Sequence, residues 1–315
     1  MPAQSQFPFI TLAVLLTLSP FTLSQQQNKP ANSPGDLILM TVTVKTRSGG
    51  YASGLNREVF ALTDQKEARS IEFFDNTDSP VSVGILVDTS ESMQLFGLKE
   101  LARPGPVGEA MVHMLQVGNP NNEYFLAAFD KTTRFLTEWK NGRALLAEKI
   151  QIGQQNKATA LYDACYAAIE KLGTGRYPRK VLVLISDGQD NESRHSFNEL
   201  RDLLRKSDIA FYAVGIPRLA DVGSSLGVEG VGVMAELAEV TGGECFLPEN
   251  NKQMSVAMNL LATQLRNQYR IGFRANKNDP SNKWRRLTVK VTLPAAAPRE
   301  FGKLKIRTRQ GYFTP

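Results

Sequence analysis

The chain has 315 residues, of which 42% are hydrophobic and 22% charged, and a formal net charge of +6 at pH 7. That length allows two domains, and the composition is that of an ordinary globular protein. Two histidines (His113, His195) and two distant cysteines (Cys165, Cys245) exclude most zinc-site patterns.

Residues 1–24 carry no charged side chain. Positions 7–18 are mostly apolar, Ser19-Pro20 breaks the run, and Thr22 and Ser24 are small residues placed for a cut before Gln25. This is the pattern of a secretory signal peptide, although its start lacks Lys and Arg. A buried N-terminal segment or an uncleaved anchor is the alternative, but the apolar run is short for a membrane span. Export, to the periplasm or beyond, is therefore expected. Residues 25–35 are polar and read as a linker.

Residues 36–78 read as β structure, with strands near 37–44, 59–62 and 70–74 and a turn at 47–50. Residues 267–315 are β as well: 268–273 form one strand, Leu287, Val289, Val291 and Leu293 alternate along a second, and Leu304 and Ile306 mark a third. Neither segment can bury a core alone, so together they are expected to form a small β-sandwich. Residues 79–266 would then be an inserted domain.

From Arg266 onward, 13 Lys or Arg residues face Asp279 and Glu300. Lys303, Lys305, Arg307 and Arg309 alternate with Leu304 and Ile306, as in a solvated edge strand. Contact with anionic envelope material is the functional alternative. No aromatic interleaving accompanies these charges, so nucleic-acid binding is not expected.

The inserted segment alternates strand and helix. Strands are predicted at 82–88, 124–129, 181–186, 209–215 and 244–247, with a short antiparallel strand at 134–138 reached by a hairpin. Helices are predicted at 106–117, 143–151, 160–172, 196–206, 232–241 and 252–266. Ser196 and Glu199 fit a capping box, and Gly242-Gly243 a helix stop. The expected fold class is α/β: a doubly wound, mostly parallel sheet with one antiparallel edge strand.

The most informative stretch is Asp88-Thr89-Ser90-Glu91-Ser92, which follows the apolar run at 83–87. A second buried strand ends in Ser186-Asp187-Gly188, and Thr159 stands at the mouth of a predicted helix. Ligands of open α/β sheets bind beyond the carboxyl ends of the strands. Along an extended segment residues 88, 90 and 92 would point the same way, with Thr89 and Glu91 pointing elsewhere. Five oxygen donors can therefore converge on one hard cation.

These segments resemble the metal-ion-dependent adhesion site of von Willebrand factor A-type domains, also found in integrins, whose pattern is D-x-S-x-S, a distant Thr and a distant Asp. The chain is similar in particular to exported bacterial A-domain proteins of the acidobacterial type. The resemblance implies that Asp88, Ser90, Ser92, Thr159 and Asp187 hold Mg²⁺, or Mn²⁺ or Ca²⁺ in its place. Hydroxyls and at most two carboxylates make a charge-poor, incomplete cage, so an acidic residue of a protein partner would complete the coordination. Three departures stand out: Glu91 where relatives often have Gly, Asn156-Lys157-Ala158 where glycines are common, and a Pro-containing stretch at 102–106 that should delay the next helix.

Asp190 and Asn191 are candidates for outer contacts to the cation, with Asx-turn chemistry as the ordinary role. Residues 223–232 read as a Gly-rich specificity loop. A metal-dependent hydrolase or phosphatase with Asp88 as nucleophile is disfavoured, because position 90 is Ser where such enzymes carry a second Asp. A structural envelope protein with a vestigial site is the other alternative. Cys165 and Cys245 are expected to be separate buried thiols.

Overall fold

Met40, Val42 and Val44 alternate along the first strand and are all buried, as a strand covering a core with one face requires. The computed structural model describes residues 37–91, 93, 105–148, 150, 158–216, 225–276, 280–294 and 301–314. The predicted signal peptide and Ser92 lie outside the described residues, as does the linker. The elements run β1 (Leu37–Lys45), β2 (Phe60–Asp64), β3 (Glu67–Arg69), β4 (Phe73–Asp75), β5 (Ser82–Asp88), α1 (Pro106–Val117), β6 (Glu123–Phe129), β7 (Thr133–Phe135), β8 (Lys140–Asn141), α2 (Gly142–Leu146), α3 (Leu161–Gly173), β9 (Lys180–Ser186), α4 (Phe197–Lys206), β10 (Ile209–Gly215), α5 (Ser225–Thr241), β11 (Cys245–Phe246), α6 (Asn251–Arg266), β12 (Gln268–Arg274), β13 (Trp284–Val291), β14 (Lys305–Thr308) and β15 (Gly311–Phe313).

The central sheet has the order β11-β10-β9-β5-β6-β7, with β8 also pairing β6. Its strands are parallel except β7 and β8, which return antiparallel beside β6. Strands β5, β6 and β10 are buried at every residue, which explains their unbroken apolar runs. Helices α1 and α6 cover one face, packing Val107, Met111, Met258 and Leu261 against Val83, Ile85 and Val87. Helices α3, α4 and α5 cover the other, packing Leu161, Cys165, Leu200 and Leu237 against Leu86, Leu184 and Phe211. This is the doubly wound α/β arrangement expected.

Helix boundaries follow local chemistry. Ser196 and Glu199 form the predicted capping box at α4. Helix α1 starts late, after Gly105, with Pro106 at its first turn, where the missing N–H costs nothing. Two helices depart from the reading above. Helix α2 ends at Leu146 instead of 151, and α5 begins at Ser225 instead of 232. The Gly-rich stretch is therefore helical from 225 onward: Gly230 serves close packing, whereas Gly232 has open space around it.

The terminal segments form two antiparallel sheets, β14-β1-β12-β4 and β15-β13-β2-β3. They share one core, in which Val42, Ile271 and Phe273 of the first meet Phe60, Leu62, Leu287 and Tyr312 of the second. Ring pairs bridge the layers, Phe60–Tyr269 at 4.9 Å and Phe273–Tyr312 at 5.4 Å. A buried polar cluster joins these sheets to the central one: Gln268 Nε2 donates to Tyr212 Oη (2.7 Å) and to Thr43 Oγ1 (3.1 Å). Among the described residues, no helix is long and apolar enough to cross a membrane. Cys165 and Cys245 are both free.

Candidate metal centre

Strands β5 and β9 lie side by side at the switch point, paired from Ser82↔Lys180 to Val87↔Ile185. Their carboxyl ends therefore deliver Asp88 and Ser186-Asp187 to the same edge of the sheet. Ser186 ties the two strands together. Its Oγ donates to Asp88 Oδ2 (2.7 Å) and accepts from the Gly188 N–H (3.0 Å). Sequence reasoning missed Ser186, which it treated as the last residue of a strand; its place beside a second strand-end Asp was the available signal.

Asp88 is 1% exposed and Asp187 is 6% exposed. The Ser90 N–H donates to Asp88 Oδ1 (2.9 Å). Burial pushes the Asp88 carboxyl up to about 6, against the pull of hydrogen bonds from Ser90 and Ser186, and the neighbouring Asp187 charge adds to the rise. Asp187 Oδ1 accepts from the Gln189 N–H (3.0 Å). Its Oδ2 is buried and has no hydrogen-bond partner among the described residues. An unpartnered buried carboxylate oxygen next to a second buried carboxylate is costly unless a cation serves both.

The chain after Asp88 does not continue extended, as the alternation argument required. It turns at Ser90, whose carbonyl accepts from the Met93 N–H (2.9 Å). Ser90 is nevertheless buried beside Asp88, and Thr89 does face away: its Oγ1 donates to the Phe129 carbonyl (2.9 Å). Glu91 is exposed.

Thr159 is 4% exposed and is brought to the same end of the sheet by two sets of backbone bonds. Its N–H donates to Asn191 Oδ1 (2.8 Å), and its carbonyl accepts from the N–H groups of Asn191 (2.9 Å) and Glu192 (3.1 Å). The next residue, Ala160, donates to the Asp130 carbonyl (2.8 Å), just past the end of β6. Asp190 Oδ1 accepts from the Tyr162 N–H (3.2 Å) and from Ser193 Oγ (2.5 Å). Asp190 and Asn191 thus hold the Thr159 loop and the start of α3 in place, the positioning role that Asx chemistry suggested.

Four of the five predicted donors, Asp88, Ser90, Thr159 and Asp187, therefore stand at one edge of the sheet. Among the described residues, no three His, Cys, Asp or Glu side chains gather to hold a metal. A cation here would rest on two carboxylates and neutral hydroxyls, a hard-oxygen set suited to Mg²⁺ or Ca²⁺. The unpartnered Oδ2 of Asp187 fits that role.

Residues 82–256 match the family model described as von Willebrand factor type A domain. No curated protein matches the sequence. Solved structures with a similar fold include a von Willebrand factor type A protein from Catenulispora acidiphila, at 10% identity and a TM-score of 0.45, covering 89% of this chain and 75% of that one. A second is the conserved hypothetical protein BatB from Bacteroides thetaiotaomicron, at 14% identity and a TM-score of 0.43, covering 59% of this chain and 98% of that one. Proximal thread matrix protein 1 from the mussel byssus, with a zinc-occupied MIDAS motif, is similar at 15% identity and a TM-score of 0.47, covering 65% of this chain and 50% of that one. With the family model matching more than half its length, the chain belongs to the von Willebrand factor type A domain family.

Proposed function

We propose that this protein is a divalent-cation-dependent protein-binding module of the adhesion type, exported through its N-terminal signal peptide. Asp88, Ser90, Ser92, Thr159 and Asp187 would hold the cation, Mg²⁺ first and Mn²⁺ or Ca²⁺ as alternatives. When bound, the ion supplies a Lewis-acidic position that an acidic side chain of a protein partner can fill. The residues contribute low charge and incomplete coordination: Asp88 and Asp187 carry the negative charge, and the hydroxyls orient without neutralising it. Ser186 and Asn191 position two of the donors from behind.

The observation that carries this reading is the buried Oδ2 of Asp187, without a partner among the described residues and next to a second buried carboxylate. Binding is favoured over hydrolysis because position 90 offers a hydroxyl where aspartyl-phosphate chemistry needs another carboxylate. Of the basic C-terminal residues, Arg307 and Arg309 face Glu244 and Asp208. Contact with an anionic envelope would therefore fall to exposed residues such as Lys283, Arg286, Lys290, Lys303 and Lys305.

The test is capture of partners from an envelope extract in Mg²⁺ and in chelator, with wild type and Asp88→Ala. Capture should require Mg²⁺ and be lost in the variant, whose circular dichroism should stay native. Capture indifferent to chelator would leave a structural protein with a vestigial site. Turnover of a phosphate or ester substrate that disappears with Asp88→Ala would replace binding by hydrolysis.

A further inference from the structure

At the opposite end of the central sheet from Asp88, the starts of β9 and β10 and the strands β1 and β12 enclose a cavity of about 160 Å³. Its walls carry four cationic side chains, Arg179, Lys180, Arg270 and Arg309, and one carboxylate, Asp208. Arg309 pairs with Asp208 at 2.8 Å and donates to the Arg205 and Gly311 carbonyls. Lys180 Nζ donates to the Gly175 carbonyl.

Arg179 is only 6% exposed, yet every acceptor it meets is neutral: the Ser79 carbonyl (2.6 Å), the Leu265 carbonyl (2.8 Å) and Gln268 Oε1 (2.8 Å). Arg270 lies over the Phe73 ring at 5.5 Å and is paired in register across the sheet with Asp75, whose charge and that of Asp208 favour it without a direct ion pair among the described residues. The next acids, Asp75 and Asp78, offset part of this charge from a distance while bonding elsewhere. Asp75 accepts from Thr77 and Ser79, and Asp78 pairs with Arg266 at 2.8 Å. A buried guanidinium without a carboxylate is expensive, and Arg is the side chain whose planar fork suits oxyanions.

We infer that this cavity is a binding site for a small dianionic oxyanion of the phosphate or sulfate type, held chiefly by Arg179 and Arg270. The walls set the class: guanidinium groups around a small cavity suit a compact oxyanion. Burial holds the Arg179 guanidinium down to about 10, and the nearby Arg270 charge pushes the same way, against the weaker pull of Asp75 and Asp78. A dianion between them would relieve both effects. This site shares no residue with the proposed cation centre.

The test is calorimetric titration of the whole protein with inorganic phosphate in chelator, against chloride at equal ionic strength, with thermal midpoints in parallel. Arg270→Gln is the primary variant, since Arg270 makes no side-chain hydrogen bond among the described residues that folding would miss, and Lys290→Gln removes the same charge from an exposed site on β13. Wild type and Lys290→Gln should bind phosphate saturably and melt higher in it. Arg270→Gln should bind about tenfold more weakly or worse. Equal midpoints in phosphate and chloride, or unchanged affinity in Arg270→Gln, would show that the arginines serve only as props for backbone carbonyls and overturn the proposal.

Discussion

Gly188 and Gly230 meet backbone to backbone, so that helix α5 presses directly on the turn that carries Asp187. A methyl group on Gly230 would stand 2.5 Å from the Asp187 carbonyl oxygen and 2.9 Å from Gln189 Nε2. Gly188 itself has φ +83°, a conformation that costs other residues strain. Gly230→Ala should therefore lift α5 from the turn. We expect a loss of about 1–3 kcal/mol in urea denaturation, as for other overpacked contacts, together with weaker Mn²⁺ binding. Gly232→Ala, which has open space around its Cβ, is the control: it should leave Mn²⁺ binding unchanged and raise stability by up to about 1 kcal/mol, since alanine is the better helix former.

That contact also marks where the sequence misled. A cluster of glycines at 223–232 resembles a loop, because glycine is a poor helix former. From Ser225 onward the segment is helical nevertheless, and the close approach at Gly230 that calls for glycine there is encoded in no local pattern. The central strands were legible because β5, β9 and β10 are buried on both faces and leave unbroken apolar runs. The candidate donors Asp88, Thr159 and Asp187 could be picked out because each stands next to such a run or at a helix mouth. Ser186, Asn191 and the turn at Ser90 were not, since their roles depend on which strands become neighbours.

The unpartnered oxygen of Asp187 predicts how this residue responds to metal. In chelator, Asp187→Asn should be at least as stable as wild type, because it removes a buried charge from beside Asp88. In millimolar Mg²⁺ the order should reverse. For affinities near 10⁻⁴–10⁻³ M, wild type should gain about 0.4–1.4 kcal/mol at about 1 mM, and Asp187→Asn should gain little. Thermal melts of both proteins across a Mg²⁺ series would measure it. A wild type insensitive to Mg²⁺, Mn²⁺ and Ca²⁺ alike would remove the cation from this site.

Acid sensitivity should have a local source at Asp163 in the first turn of α3. His195 Nδ1 lies 2.6 Å from its Oδ1, and the Arg194 and His195 N–H groups donate to it at 3.2 and 3.0 Å. Burial opposes ionisation there, but these hydrogen bonds outweigh it and hold the carboxyl down to about 2 from its ordinary 3.8. A depressed carboxylate stabilises the fold above its unfolded value, and that contribution declines as pH falls below 3.8 and is gone past about 2. Asp163→Asn should thus be less stable than wild type at neutral pH, and the two should converge at the acid end. Urea midpoints across pH would show this. Parallel curves would place the acid sensitivity elsewhere.

Asp64, fully buried at the end of β2, anchors the outer sheet of the terminal β layers. Its Oδ1 accepts from Arg285 Nε (2.7 Å) on β13, and its Oδ2 accepts from Arg69 Nη2 (3.3 Å) on β3 and Tyr312 Oη (3.1 Å) on β15. One carboxylate therefore holds three strands that come from opposite ends of the sequence. Asp64→Ala would leave Arg285, with a side chain 13% exposed, lacking this counter-charge. The expected cost is about 1–3 kcal/mol, since hydrogen bonds to a buried charged group are lost. Asp64→Asn keeps an acceptor oxygen and should cost less. Hydrogen exchange should accelerate first at residues 311–313, because β15 pairs only with β13 in its sheet. If exchange instead rises uniformly across the central sheet, Asp64 supports the whole fold and not this one layer.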